Sequence, residues 1–276
     1  MKSPDIISQL KKTKSYIFKN IKTKPKVAVL TGSGLSDIKD LIKNQKTISY
    51  SKIPYFRQTT VAGHKGELVF GKIDNTDVIL LNGRFHYYEG NTMQDITYPV
   101  RVLKELGINT IIITCAVGAI NKKYSVGDIV AIKDHINFMV DNPLIGKHFE
   151  VFGDRFPDIS NVYDTNLINQ IKKTAASNKI KLHTGVYFAV KGPSYETASE
   201  ISVFRNLGAD VVGMSLVPEV IVAGQMNMKV LALTYVANKA TGISKQKITH
   251  EEVLNIGKKT GIKIAKLIKA VIKDIP

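Results

Sequence analysis

An arginine and a histidine two residues apart, where an apolar run ends, form a ready pair for an anion. Arg84 and His86 stand this way in Gly83-Arg84-Phe85-His86-Tyr87-Tyr88-Glu89-Gly90, which Asn82 joins to the run Asp77-Val78-Ile79-Leu80-Leu81. In extended backbone, residues two apart point the same way. A planar guanidinium fork beside an imidazole suits phosphate. Glu89 stands where it can orient His86 or hold its proton; the plainer alternative is a surface salt bridge. A second anion element is Gly32-Ser33-Gly34-Leu35, after the run Lys26–Leu30. Glycines beside a serine let backbone N–H groups and a hydroxyl come close to an anion, although a tight turn needs the same residues. Asp37 occupies the place of the third glycine of a dinucleotide fingerprint, and no Gly-Lys-Ser/Thr follows, which excludes both common nucleotide loops. His64, in Ala62-Gly63-His64-Lys65-Gly66, is either a further anion contact or a structural histidine.

Three more segments suit a flat heterocycle. Lys191-Gly192-Pro193-Ser194-Tyr195-Glu196-Thr197 presents an aromatic ring and then an acid, fit for stacking and for accepting a ring N–H; a helix N-terminus would also favour that acid. Gly213-Met214-Ser215 offers a soft apolar wall and a hydroxyl. Asn238, in Asn238-Lys239-Ala240, carries an uncharged amide that reads ring nitrogens and carbonyls. No His, Cys, Asp and Glu cluster has metal spacing, so no metal is expected, and Cys115 reads as small buried packing.

The elements that must position these groups are short apolar runs alternating with helical patterns. Six runs end in small and polar residues: 26–30, 77–81, 110–113, 185–190, 210–212 and 230–235. Helical spacing covers 4–21 and about 94–106, 164–178, 196–207, 217–227 and 249–273. The alternation predicts an α/β fold, a parallel or mixed sheet flanked by helices. Ligands in such sheets sit beyond the carboxyl ends of the strands, so parallel neighbours would gather the six motifs at one cleft. With no linker, repeat or low-complexity segment, residues 1–276 read as a single domain.

Composition narrows the partners. The formal net charge is +16, but the lysines are dispersed in patterns of solvated helix faces, which argues against nucleic acid as the main partner. No apolar run reaches the roughly 20 residues of a membrane helix, and Met1–Asp5 lacks a signal-peptide pattern. A single cysteine permits no intrachain disulfide and fits a reducing, cytoplasmic compartment.

As an ordered set, these motifs closely resemble the trimeric purine nucleoside phosphorylase family. Further matching pieces are Val126-Gly127-Asp128-Ile129, Asp134-His135-Ile136-Asn137, Asn142-Pro143-Leu144, Gly153-Asp154-Arg155-Phe156-Pro157, Val217-Pro218-Glu219-Val220 and His250-Glu251-Glu252-Val253. The resemblance implies phosphorolysis of 6-oxopurine (deoxy)ribonucleosides such as inosine and guanosine, in purine salvage. Phosphate would be a co-substrate, with no further cofactor. It implies that Ser33, His64, Arg84, His86, Ser215 and the backbone N–H of Ala116 hold phosphate. Tyr88, Met214 and His250 would contact the ribose, Tyr195 the sugar and base, and Glu196 and Asn238 the purine edge. His86, Glu196 and Asn238 would carry the catalysis. Phe156 would enter a neighbouring subunit's ribose pocket, implying a homotrimer with shared sites. The chain departs from the family's usual Asn-Ala-Ala-Gly-Gly at Cys115-Ala116-Val117-Gly118-Ala119, from a common phenylalanine at Tyr195 and from a frequent threonine at Ala237. The rivals are a methylthioadenosine phosphorylase, which would want a carboxylate at Asn238, and a nucleoside-binding module without catalysis.

Overall fold

The structure, a computed structural model, describes residues 5–21, 23–61, 64–244 and 249–275. Its strands are β1 (Val27–Leu30), β2 (Lys43–Ser49), β3 (Glu67–Ile73), β4 (Thr76–Asn82), β5 (Thr110–Ala119), β6 (Ile129–Asn137), β7 (Leu182–Ala189), β8 (Val211–Gly213) and β9 (Lys229–Lys239). The helices are α1 (Ile6–Asn20), α2 (Met93–Glu105), α3 (Thr165–Ser177), α4 (Ala198–Asn206), α5 (Val217–Gln225) and α6 (His250–Lys273). This is the mixed sheet flanked by helices that the alternation predicts.

The nine strands form one sheet in the order β2-β3-β4-β1-β5-β8-β7-β6-β9, and β9 pairs again with β5. The last five strands therefore close into a ring. Strands β4, β1, β5 and β9 run parallel. Strand β8 runs antiparallel to β5, and β6 antiparallel to β9. The six motifs meet, but not because all their strands are parallel. Closure of the ring brings β8, with β7 beside it, against the carboxyl end of β5, where Gly118 pairs with Val212.

Burial explains the strand choices. All four β1 residues are buried, as both-face-covered parallel strands require. Strands β5 and β9 run further than their apolar cores. The 115–119 segment belongs to β5 rather than to a loop after it, pairing with β9 through a register shift between Val117 and Gly118. Ala119, fully buried, takes the place of a glycine there without strain.

Strands β2, β3 and β6 lie outside the six runs. β2, Lys43–Ser49, is an edge strand whose side chains are nearly all exposed, so its composition resembles a loop. The β3–β4 hairpin turns through Asp74 and Asn75, with Asp74 at φ 50°, a conformation these residues tolerate. Helices α1, α2 and α5 pack in series, and α3 packs on α6. Thr92 and Asp95 cap the start of α2 reciprocally, as Thr197 and Glu200 do for α4. Helix α4 thus begins after Glu196, leaving Tyr195 and Glu196 on the approach rather than in the first turn.

Candidate active site

One cleft, about 730 Å³ out to its solvent mouth, is lined by residues from every one of the six strand ends. Ser33, Arg84 and His86 line one side with Ala116 and Ser215. Tyr88, Tyr195, Glu196, Met214 and Asn238 line the remainder.

The anion side is built around Arg84, which is 3% exposed. Its Nη2 donates to the Thr114 carbonyl at 2.8 Å, and Nη1 lies 3.8 Å from the Glu219 carboxylate, too far for a hydrogen bond. Nε and Nη1 are buried with no hydrogen-bond partner among the described residues. Buried donors are nearly always paired, which makes these two nitrogens exceptional among the described residues.

His86 lies beside it. Its Nδ1 and Glu89 Oε1 are 2.8 Å apart, and the side chains are only 6% and 4% exposed. The pair is buried, not a surface salt bridge. Burial pushes the His86 ring below the usual histidine range, against the pull of Glu89. Burial also works to raise the Glu89 carboxyl, but hydrogen bonds from His86 and Thr60 outweigh it and hold it at about 2. An ionised Glu89 accepts a hydrogen bond from the Nδ1–H of the neutral ring, leaving Nε2 as an acceptor. Tyr88 stacks on that ring, centroids 4.7 Å apart.

Ser33 is placed by close backbone contacts. A Cβ on Gly32 would fall 2.8 Å from the Thr114 carbonyl, so only glycine lets this turn lie on β5. The Ser33 carbonyl accepts from the Tyr235 hydroxyl at 2.9 Å, and the Val253 carbonyl lies 3.1 Å from the same hydroxyl. Tyr235 is fully buried and ties the Ser33 turn to α6. It sits inside an apolar run, and no local pattern marks it.

Ser215 owes its direction to strain. Leu216, at φ 73° and ψ −56°, is the centre of a positive-φ γ-turn closed by Val217 N–H on the Ser215 carbonyl at 2.9 Å. That turn is rare and costly for a bulky residue. It aims Ser215 into the cleft and starts α5, whose first turn carries Glu219. The buried Tyr187 hydroxyl accepts from Ser215 N–H at 3.3 Å.

On the opposite side, Asn238 gives one N–H to the Lys239 carbonyl at 3.0 Å. An amide has a second N–H and an oxygen to offer. Gly118 admits it: a Cβ there would lie 3.3 Å from Asn238 Nδ2. Glu196 is half-buried, and burial, with the Glu200 charge adding, raises its carboxyl above the usual range.

Two expected residues are not part of the lining. His64 sits behind it, 3.1 Å from Ser33 Oγ through Nε2. Phe156 is 88% exposed on a separate surface, where Arg155 is anchored to the Leu144 and Gly146 carbonyls. His250 opens α6, and its side chain lies outside the described residues, as does Gly63 of the Gly63-His64 motif.

A mixed α/β sheet closing on itself thus gathers a buried arginine, an acid and an amide in the lining of one cleft. The chain belongs to the phosphorylase superfamily, whose family model matches residues 26–273. It is 44% identical over 264 residues to purine nucleoside phosphorylase 1 of Bacillus subtilis, covering 96% of this chain and 97% of that one. It superposes on Schistosoma mansoni purine nucleoside phosphorylase in complex with inosine with a TM-score of 0.93, at 37% identity, covering 98% of this chain and 97% of that one. The same enzyme in complex with adenosine matches with TM-score 0.93 and 37% identity, covering 98% of both chains.

Proposed function

We propose that this chain is a purine nucleoside phosphorylase that cleaves 6-oxopurine (deoxy)ribonucleosides with inorganic phosphate, releasing free base and (deoxy)ribose 1-phosphate. The observation that carries this is Arg84, two of whose buried nitrogens have no hydrogen-bond partner among the described residues, in the lining of the same cleft as Glu196 and Asn238. Phosphate sits at Arg84, Ser33, His86, Ser215 and the Ala116 backbone. Ribose lies between, against Tyr88, Met214 and His250, with Tyr195 over sugar and base.

A phosphate oxygen forms the new bond to the anomeric carbon as the carbon–nitrogen bond breaks, and the electron pair moves onto the purine. The catalysis is positioning and electrostatic preorganisation. The Arg84 fork holds the nucleophile, and the second Asn238 N–H follows charge onto the ring near N7. Glu196, ionised, accepts from the purine N1–H. Adenine would set its N1 lone pair against that carboxylate, leaving polar groups unpaired at about 1–3 kcal/mol each. Occupancy by adenosine, seen in a relative, is separable from turnover, so base choice is read from specificity constants.

We also propose one domain spanning residues 1–276, a cytoplasmic homotrimer with Phe156 reaching a neighbour's ribose pocket, and a role in purine salvage. Among the described residues, no helix is long and apolar enough to cross a membrane. The test is phosphate-dependent base release from inosine, guanosine and methylthioadenosine. Turnover of the first two without the third is expected. Turnover of methylthioadenosine alone selects the rival phosphorylase, and none at all leaves a binding module.

A further inference from the structure

Ser33 and His64 both enter the sequence reading as contacts to phosphate. The geometry points to a different division of labour. We infer that His64 acts through Ser33, fixing the serine as a hydrogen-bond donor to the anion by means of a ring tautomer that the Arg84 backbone imposes. This rests on the reading that the Ser33–Arg84–His86 corner takes phosphate.

The Arg84 backbone N–H donates to His64 Nδ1 at 2.9 Å. A backbone N–H is a donor and nothing else, so Nδ1 carries no proton and the ring hydrogen resides on Nε2. Nε2 lies 3.1 Å from Ser33 Oγ. It follows that Nε2–H donates and the serine oxygen accepts. A hydroxyl has one hydrogen and two lone pairs. With one lone pair given to His64, the hydrogen is left to point elsewhere, and Ser33 lines the cleft while His64 does not. A phosphate dianion has three unprotonated acceptor oxygens and a single P–OH; the acceptor Nε2 of His86 suits that hydroxyl, so Ser33 meets an acceptor oxygen. In the other tautomer, Nε2 would take the serine hydrogen, and Ser33 would show the anion a lone pair.

Several contacts keep the ring in this position. Gly83, at φ 122°, has no Cβ; one added there would lie 3.1 Å from His64 Cβ and 3.3 Å from Nδ1. The Gly83 carbonyl is pinned by the buried Tyr50 hydroxyl at 2.8 Å. The His86 ring stands edge-on to His64, centroids 5.1 Å apart at 88°. One backbone N–H at the end of β4 thus sets the direction of a hydroxyl at the end of β1. The same residue, Arg84, supplies the fork for the anion and the amide that orients its neighbour.

The test is a kinetic double-mutant cycle on Ser33→Ala and His64→Ala. It reads the phosphate KM, with the nucleoside KM as a measure of general damage. Ser33→Ala is expected to raise the phosphate KM about tenfold, as loss of a bond to a charged group does. His64→Ala is expected to raise it by a similar or smaller factor, and the double variant no further than Ser33→Ala alone. The nucleoside KM is expected to stay within about twofold. His64→Gln places an amide donor near the Nε2 position and is expected to recover more than His64→Asn, whose amide reaches only the Nδ1 position. If His64→Ala does not fold, the Gln and Asn variants in wild-type and Ser33→Ala backgrounds read the same coupling. Factors that multiply in the double variant would mean His64 touches phosphate itself and would overturn the inference. Equal recovery by Gln and Asn would overturn it as well, since support of the Arg84 backbone would then be the whole role. An unchanged phosphate KM in Ser33→Ala would instead remove the phosphate reading of this corner.

Discussion

Arg84 Nη1 and Glu219 Oε1 face each other at 3.8 Å, two buried charges without a hydrogen bond between them. Glu219 is 2% exposed, so its carboxylate balances the guanidinium electrically while leaving the fork's donors to another acceptor. Removing the arginine strands that carboxylate. Arg84→Ala is expected to cost about 3–5 kcal/mol of stability and to reduce kcat/KM for phosphate sharply. Arg84→Lys is expected to recover only part, because a point charge replaces a planar fork. Thermal unfolding and phosphate kinetics check both. Unchanged KM and turnover for phosphate in Arg84→Ala would sink the anion-site assignment.

Helix α6 touches the Ser33 turn glycine to glycine. A Cβ on Gly257 would stand 2.8 Å from Gly34 Cα and 2.6 Å from the Tyr235 hydroxyl. Gly257→Ala is expected to push α6 off the turn, costing about 1–3 kcal/mol and raising the phosphate KM. A variant with wild-type melting temperature and phosphate KM would show that the turn is positioned without the helix.

Glu196 is expected to carry the pH dependence on the acid side. Its folded carboxyl is raised by burial, with Glu200 adding. The form that accepts from the purine is ionised, so activity on inosine is lost as pH falls through a value above the ordinary glutamate range of about 4.3. For stability the sign is opposite. The folded chain holds this proton more tightly than the unfolded one, so the Glu196 contribution to stability declines as pH rises through the same window. The pH profile of kcat/KM for inosine is the measurement. An acid limb at an unperturbed carboxylate value would separate Glu196 from base recognition.

Base choice is expected to follow from Asn238. Asn238→Asp is expected to move the ratio of specificity constants from inosine towards adenosine, since a carboxylate accepts from a 6-amino group and an amide N–H does not. An unchanged ratio in the variant, or comparable wild-type values for both nucleosides, would show that Asn238 does not read the base.

Phe156 is expected to act in trans. It is 88% exposed, and Arg155 next to it is held by two backbone carbonyls, at Leu144 and Gly146, so the residue is presented outward by an anchored segment. Light scattering is expected to report three subunits, and Phe156→Ala is expected to raise the nucleoside KM severalfold with phosphate KM unchanged. A fully active monomer would exclude the shared site.

The helices, six of the nine strands, and the chemical types at the ends of those six were legible in the sequence alone. Apolar runs such as 77–81 and periodic stretches such as 249–273 are local patterns, and Gly32, Gly83 and Gly213 mark the places where backbone must pass closely. What only the tertiary structure decided depends on residues far apart in the chain. Pairing of β5 with both β8 and β9 closes the ring, so antiparallel strands share a cleft with parallel ones. The edge strand β2 exists because β3 lies beside it, not because Lys43–Ser49 favours a strand. The γ-turn at Leu216 is imposed against that residue's own preference. Tyr235 tethers the Ser33 turn from inside an apolar run. The His64 tautomer is set by an N–H 20 residues away. Periodicity reports a residue's burial and its local backbone, whereas the direction of a hydroxyl or the proton on a ring nitrogen is set by whichever partner the fold brings to it.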